Sequence, residues 1–173
     1  MTGLTLRAAT SADLPALSAL AIRAFVAKFG SLYSQANLDA FLAENLAEAA
    51  FAADLANPVR QIQLAERDGA LLAFAKIAFV CGFPDYAKGN RTMELKQLYT
   101  APEAIGGGIG AALMDWTMAT LAARGADEVQ LSVFAGNHDA HRFYRRYGFD
   151  KVADITFKVG DHLDPEFLFA RML

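Results

Sequence analysis

Four glycines fall within five positions of one stretch: Gly106, Gly107, Gly108 and Gly110. Ahead of them runs Thr92–Thr100, a strand by its apolar and β-prone content, which turns at Pro102. Behind them Ile109, Leu113, Trp116 and Leu121 mark out a helical apolar pattern. Glycine lets backbone N–H groups turn toward a ligand with no Cβ in the way. A helix that opens there adds unpaired N–H groups and the positive end of its dipole. Strand, glycine turn and helix N-terminus together make a cradle suited to phosphates. Two familiar phosphate patterns fail on spacing. A P-loop needs Gly-Lys-Ser/Thr at the end of the turn, whereas Gly110 is followed by Ala111 and Ala112. A dinucleotide fingerprint wants an acid at the tip of the next strand, and Glu128–Val133 runs on into Phe134-Ala-Gly-Asn.

A third pattern fits. Ile105-Gly-Gly-Gly-Ile-Gly110 resembles the pyrophosphate loop, Gln/Arg-x-x-Gly-x-Gly/Ala, of the GNAT superfamily of acyl-CoA N-acyltransferases. About 30 residues on, Asn137-His-Asp-Ala140-His-Arg-Phe143-Tyr144-Arg-Arg-Tyr147-Gly148-Phe149 is similar to that superfamily's second signature, Asn-x-x-Ala-x-x-x-Tyr-x-x-x-Gly-Phe. Two departures stand out: Ile105 replaces the usual Gln or Arg, and Gly107 the usual basic residue. The backbone cradle survives them, without side-chain help to the pyrophosphate.

Acetyl transfer to an amine makes definite demands. An amine of pKa near 10 is mostly protonated at neutral pH, so a base must take its proton. Donors must face the thioester oxygen where charge develops, and the departing sulfur needs a proton or a hydrogen bond. The resemblance assigns the phosphate grip to the backbone of Gly106, Gly107, Gly108, Ile109, Gly110 and Ala111. It implies that the strand before the loop splays from its neighbour, so that Leu98, Tyr99 and Thr100 pair with pantetheine. It makes Tyr144 the general acid and Asn137 a cofactor contact through its side-chain amide. Tyr144 either has a depressed pKa or mainly hydrogen-bonds the sulfur. Glu94 is the candidate base: it lies six residues before Thr100, and strand alternation puts both on one face.

Each of these residues has a plainer reading. The glycine turn could serve only close helix–strand packing. Ala140, Phe143, Tyr144 and Tyr147 form an i, i+3, i+4, i+7 stripe, which by itself describes a core face. Phe143 and Tyr147 keep that reading; for Tyr144 the motif outweighs it. Asn137 is also a natural helix N-cap, and an acid near a strand's start, like Glu94, is often solvated. His138, His141 and His162 show no paired metal spacing and read as solvated, so no metal is expected, and Cys81 reads as a small buried hydrophobe.

The rest of the chain must position these groups. Its 173 residues suit a single domain, 1–173, with a substantial core, and a hydrophobic fraction of 54% marks a folded chain. A net charge of −3 argues against nucleic acid as main partner. No apolar run reaches the length of a membrane span and no signal peptide is evident. A lone cysteine suits a reducing cytoplasm. Leu4–Arg7 reads as a strand, and a helix follows from a Thr10-x-x-Asp13 capping box to Gly30. Leu38–Leu55 reads as one further helix, stopped by Asn57-Pro58. Asp68-Gly69 joins Gln61–Glu66 to Ala70–Val80 as a hairpin. Gly82–Asn90 reads as a loop, Ala140–Tyr147 as a short helix, and Asp150–Val159 and Glu166–Leu173 as closing strands.

That order, β-α-α-β-β-β-α-β-α-β-β, is the GNAT order. The fold implied is α/β (α+β), a mixed sheet of about seven strands flanked by about four helices. The activity implied is acetyl transfer from acetyl-CoA to a primary amine, with those two as its partners, no metal and no membrane. Phe29-Gly-Ser-Leu-Tyr33 and Phe157-Lys-Val-Gly-Asp-His-Leu-Asp are similar to a branch that includes spermine/spermidine acetyltransferases. Asp39, Glu44 and Glu48 could make the acceptor side acidic. The alternatives are a non-catalytic acyl-CoA-binding module and a protein N-terminal or lysine acetyltransferase. A homodimer stays open.

Overall fold

The computed structural model describes residues 3–173. In chain order the elements are β1 (Thr5–Ala8), α1 (Leu14–Phe29), α2 (Gln35–Asn45), α3 (Glu48–Ala56), β2 (Arg60–Arg67), β3 (Ala70–Ala78), β4 (Thr92–Thr100), α4 (Ile109–Ala123), β5 (Glu128–Phe134), α5 (His138–Arg146), β6 (Asp150–Val159) and β7 (His162–Met172). The strands form one seven-stranded sheet in the order β1-β2-β3-β4-β5-β7-β6. Every neighbouring pair is antiparallel except β4 and β5, which run parallel because α4 crosses between them.

The sheet separates two cores. Leu113, Met114 and Leu121 of α4, with Phe149, pack on one face against Ala73, Ala75, Ile77, Met93 and Leu95. Leu17, Leu20, Ala21 and Phe25 of α1, with Phe41 and Phe51, pack on the other against Ile62, Leu64 and Phe74. The helical run Ser11–Leu32 is long and apolar enough, by length and composition, to cross a membrane, which the sequence reading missed. Its inner stripe is occupied in the second core.

Three local outcomes differ from expectation. Leu38–Leu55 is two helices, not one: the chain leaves α2 at Leu46, whose side chain is fully buried, and restarts after Ala47. β7 begins at His162, four residues before Glu166, so the β6–β7 hairpin is tight, with only Gly160 and Asp161 between strands. Third, Glu94 pairs with Ala78 and Leu95 with Ile77, but Gln97 pairs with Lys76, which leaves Lys96 as the extra residue of a β-bulge. Other signals translate directly. Asp68 and Gly69 both take positive φ, 56° and 76°, as the two-residue hairpin turn requires. Thr10 and Asp13 close the capping box, and Arg7 forks between Asp13 and Glu66.

Candidate active site

β4 and β5 pair only through Thr92–Glu94 and Glu128–Gln130. Beyond Glu94 the strands diverge: β4 stays paired to β3 as far as Thr100, and β5 stays paired to β7 as far as Phe134. The backbone of β4 from Leu95 onward therefore has a ladder partner on one side only, and Leu98, Tyr99 and Thr100 lie on that freed edge. The bulge at Lys96 sits at the mouth of the divergence and twists the strand there.

The bulge also corrects one inference from sequence. Directly paired residues share a face, and the partners of Glu94 and Thr100 are Ala78 and Ala73, an odd number apart. Glu94 and Thr100 consequently point to opposite faces. Leu98 packs with the α4 core and Tyr99 with the α1 core. Glu94 lies on the Tyr99 side, 4% exposed, with Lys96 Nζ at 3.2 Å from its Oε2.

After β4, Pro102–Ala104 makes one 3₁₀ turn and the glycines follow. Gly106 and Gly108 take φ of +85° and +77°, a region that disfavours any residue with a Cβ. A Cβ built on either would meet nothing within 4 Å, so the loop's outer side is open. Gly108 caps α4 without any side-chain hydrogen bond, and the first helical acceptor bond is Ala112 N–H to Gly108 C=O at 3.1 Å. The N–H groups of Ile109, Gly110 and Ala111 are thus left to a ligand. Ile105, at the loop's first position, is 70% exposed.

α5 brings in the second signature. Asn137 accepts from Ala140 N–H at 3.3 Å, which makes it the N-cap and leaves its amide NH₂ unused by that bond. Asn137 also lines a cleft of about 410 Å³ with Phe29, Leu32, Phe134 and Gly136. Tyr144 and Tyr147, three residues apart, part company. The Tyr147 hydroxyl donates to Ala111 C=O and to Asp115, both at 3.1 Å, and ties α5 to α4. The Tyr144 ring packs on Phe143 and Phe149, and its hydroxyl makes no hydrogen bond among the described residues. Burial pushes the Tyr144 phenol well above its ordinary range, so a depressed value does not hold here.

The structure adds residues that the sequence reading did not single out. Cross-strand pairing places Glu166 beside Phe134, and Phe29 of α1 meets Phe134 edge-on at 5.9 Å between centroids. Asp164, two residues earlier, shares that face and takes the Tyr33 hydroxyl and His162 Nε2, the latter at 3.0 Å. Burial pushes the Glu166 carboxyl up to about 7, with the charge of Asp164 adding to the effect and a hydrogen bond from Ser132 opposing it. Burial likewise raises the Tyr33 and Tyr99 phenols; the charge of Glu166 adds to both, and Tyr144 couples to Tyr99. Acids at alternate positions of an apolar strand, Asp164 and Glu166 ahead of Leu168 and Ala170, were the available signal. A strand expected only from Glu166 onward leaves Asp164 outside that alternation, whereas β7 includes both.

Other residues also differ from expectation. His141 is buried, not solvated: it sits between Phe167 and Phe169 and its Nε2 bonds Phe134 C=O at 3.0 Å. Burial lowers its pKa. Cys81 is half-buried with Sγ 3.4 Å from Gln130 Oε1, rather than a core hydrophobe. Asp39, Glu44 and Glu48 are exposed, and the acidity on the Tyr33 side comes from Asp164 and Glu166 instead.

The profile of the family described as "Acetyltransferase (GNAT) family" matches residues 23–149, well over half of the chain. The chain belongs to the GNAT acetyltransferase family. It is 33% identical over 161 residues, 93% of this chain and 98% of the other, to an uncharacterized N-acetyltransferase of Mycobacterium tuberculosis. Among solved structures, the PaiA N-acetyltransferase of Thermoplasma acidophilum, in complex with coenzyme A, superposes with a TM-score of 0.80 at 19% identity, over 99% of each chain. A ribosomal-protein-alanine N-acetyltransferase of Brucella melitensis gives 0.71 at 23% identity, over 98% of this chain and 99% of that one. At these identities the two structures bear on the fold alone. This GNAT fold is the mixed seven-stranded sheet with its flanking helices, and the chain is an acyltransferase of the N-acetyltransferase type.

Proposed function

We propose that this GNAT enzyme moves an acetyl group from acetyl-CoA to a primary amine by direct attack, with no covalent enzyme intermediate. The observation that carries the reading is the convergence at one divergence of strands. The free edge of β4 leads into the open glycine cradle, and Tyr144, whose hydroxyl has no partner among the described residues, lies within electrostatic reach of Tyr99 on that strand. The cradle fits coenzyme A: open space stands where Cβ atoms would project at Gly106 and Gly108, and helix-start N–H groups lie free beside it. Gly106–Ala111 would hold the pyrophosphate, Leu98–Thr100 the pantetheine, and the Asn137 amide would add a contact. Bound there, acetyl-CoA supplies an activated acyl thioester.

The protein's own groups do the rest. A phenol raised by burial stays protonated, so Tyr144 acts as a hydrogen-bond donor to the leaving sulfur rather than as a source of a fully transferred proton. Backbone donors on the freed β4 edge face the place where carbonyl charge develops. The proton acceptor is a carboxylate on the Tyr99 side, where Glu94 and Glu166 are both available. Asp164 and Glu166 suit a cationic acceptor, polyamines among them. A half-buried free Cys81 is in keeping with a cytoplasmic enzyme.

The test is release of free thiol from acetyl-CoA across a panel holding spermidine, a peptide with a free N-terminal alanine, and lysine. Turnover on one or more of these amines is expected. Tight coenzyme A binding with no thiol release from any of them would leave a binding module and reject the enzyme.

A further inference from the structure

We propose that Glu166 is the base that takes the acceptor amine's proton, with Asp164 and Tyr33 as positioning residues; this rests on the acetyltransferase reading above. Four acids are buried among the described residues: Glu94, Glu128, Asp164 and Glu166. Three have strong partners. Glu128 Oε2 accepts from Lys88 N–H, Gly89 N–H and the Thr92 hydroxyl at 2.7–2.8 Å. Glu94 holds Lys96. Asp164 holds Tyr33 and His162.

Among the described residues Glu166 has only the Ser132 hydroxyl, and no cation or backbone donor meets it. A carboxylate kept for stability would be paired as the other three are. One left buried and under-bonded is poised to accept a proton.

Its position is right as well. Glu166 shares a face with Phe134 at the end of β5, where the strands have already diverged. The groups facing it are Asp164 from β7 itself, Ser132 from β5, Tyr99 from β4 and Tyr33 from the α1–α2 connection, with Tyr144 of α5 reached through Tyr99 and His162 through Asp164. From β6 the partner is Ile155, which does not titrate. Tyr99 is thus within electrostatic reach of both Glu166 and Tyr144.

Glu94 is worse placed. It lies at the closed end of the divergence under Gly82, where an added Cβ would fall 2.1 Å from its Oε2. An acid pushed up to about 7 by burial is partly ionised at neutral pH and well matched to proton abstraction.

The protons balance. The ammonium gives one proton to the Glu166 carboxylate. The freed lone pair forms the nitrogen–carbon bond as the carbon–sulfur bond breaks. The nitrogen's second proton ends on the coenzyme A sulfur, with Tyr144 hydrogen-bonded to it, and Glu166 returns its own proton to solvent.

The experiment compares wild type with Glu166→Gln, Asp164→Asn and Glu94→Gln, read by thiol release against pH, coenzyme A calorimetry and an NMR titration of the Glu carboxyl carbons. Glu166→Gln should lose roughly 10²–10⁴ in kcat/KM at pH 7, with coenzyme A affinity within about twofold. It should also lose the limb of the wild-type pH profile near 7. Asp164→Asn removes a charge that raises Glu166, so that limb should move to lower pH. A Glu166→Gln enzyme that keeps the limb, or one less impaired than Glu94→Gln, overturns the assignment. Should Glu166→Gln fail to fold, the wild-type titration decides: a Glu166 carboxyl titrating near its ordinary 4.5 overturns it equally. Wild-type silence toward every amine strikes the acetyltransferase reading itself; a failure confined to the variants strikes only Glu166.

Discussion

On the donor side of the divergence, the groups that would meet coenzyme A are backbone amides: the freed edge of β4, the glycine turn and the first turn of α4. On the acceptor side they are side chains: Tyr33, Tyr99, Asp164 and Glu166, drawn from three separate parts of the chain. A backbone site is spelled by what is missing, Cβ atoms above all, and so leaves a dense glycine signature in one stretch. A side-chain site is spelled by residues whose spacing has meaning only after the sheet has assembled. One side can therefore be written in a motif and the other cannot. Coenzyme A is a constant ligand suited to backbone recognition, while an acceptor is discriminated by side chains.

The largest expected effect attacks the donor side. Gly108→Glu puts a Cβ at a φ of +77° and a negative charge where phosphates approach. Left-handed backbone costs a non-glycine residue about 1–2 kcal/mol, and no neighbour lies within 4 Å to clash. The fold should persist and calorimetric coenzyme A binding should vanish; unchanged affinity would remove the cradle from the site.

Next comes Tyr144→Phe, which leaves the ring packing on Phe143 and Phe149 in place. Turnover should drop roughly 10- to 10³-fold while coenzyme A affinity changes far less. A variant that unfolds would return Tyr144 to the core, and normal turnover would take it out of the mechanism.

On the acceptor side, stability itself carries a signature. The Glu166 carboxyl rises from 4.5 to about 7, so folding favours its protonated form. Its contribution is fully present below about 4.5 and is lost as pH rises through 7. The loss is at most about 3 kcal/mol. Thermal unfolding of Glu166→Gln should lack that decline, and parallel curves for the two proteins would mean that Glu166 is solvated.

The smallest effect belongs to Tyr147→Phe. It deletes a hydroxyl bridge from α5 to Ala111 and Asp115, at a cost of about 1 kcal/mol in denaturant unfolding. Turnover should fall much less than in Tyr144→Phe. Equal losses from the two tyrosines would erase the distinction between a tether and a donor.

Sequence legibility follows the same divide. The strand–glycine–helix passage and the Asn137–Phe149 signature led directly to the β4–α4 turn and α5, because local backbone chemistry determines both. The element order was readable for the same reason, including the Asp68-Gly69 hairpin. The break between α2 and α3 was not, since alanine-rich sequence favours helix on both sides of Ala47, while the contacts at the break are tertiary: Leu46 is fully buried and its C=O accepts from the Ser18 hydroxyl of α1. His141 looked solvated beside charged neighbours, yet aromatic rings of β7 enclose it. The alternation of Asp164 and Glu166 is in the sequence, but how few partners Glu166 has shows only once β7 lies beside β5.

Lys96 makes β4 a strand with a shifted reading frame. Before it, Met93 and Leu95 look toward α4; after it, Leu98 does, and the odd-numbered Tyr99 turns toward α1. Deleting that one residue would leave every later pairing in place: Gln97 would follow Leu95 opposite Lys76, and Leu98 and Tyr99 would keep their faces. What would go is the local twist at the mouth of the divergence. One residue added between Gln97 and Leu98 would do the reverse, turning Tyr99 toward the α4 core and Leu98 toward α1. The bulge is thus slack that β4 can give up, whereas the regular stretch after it has none to spare.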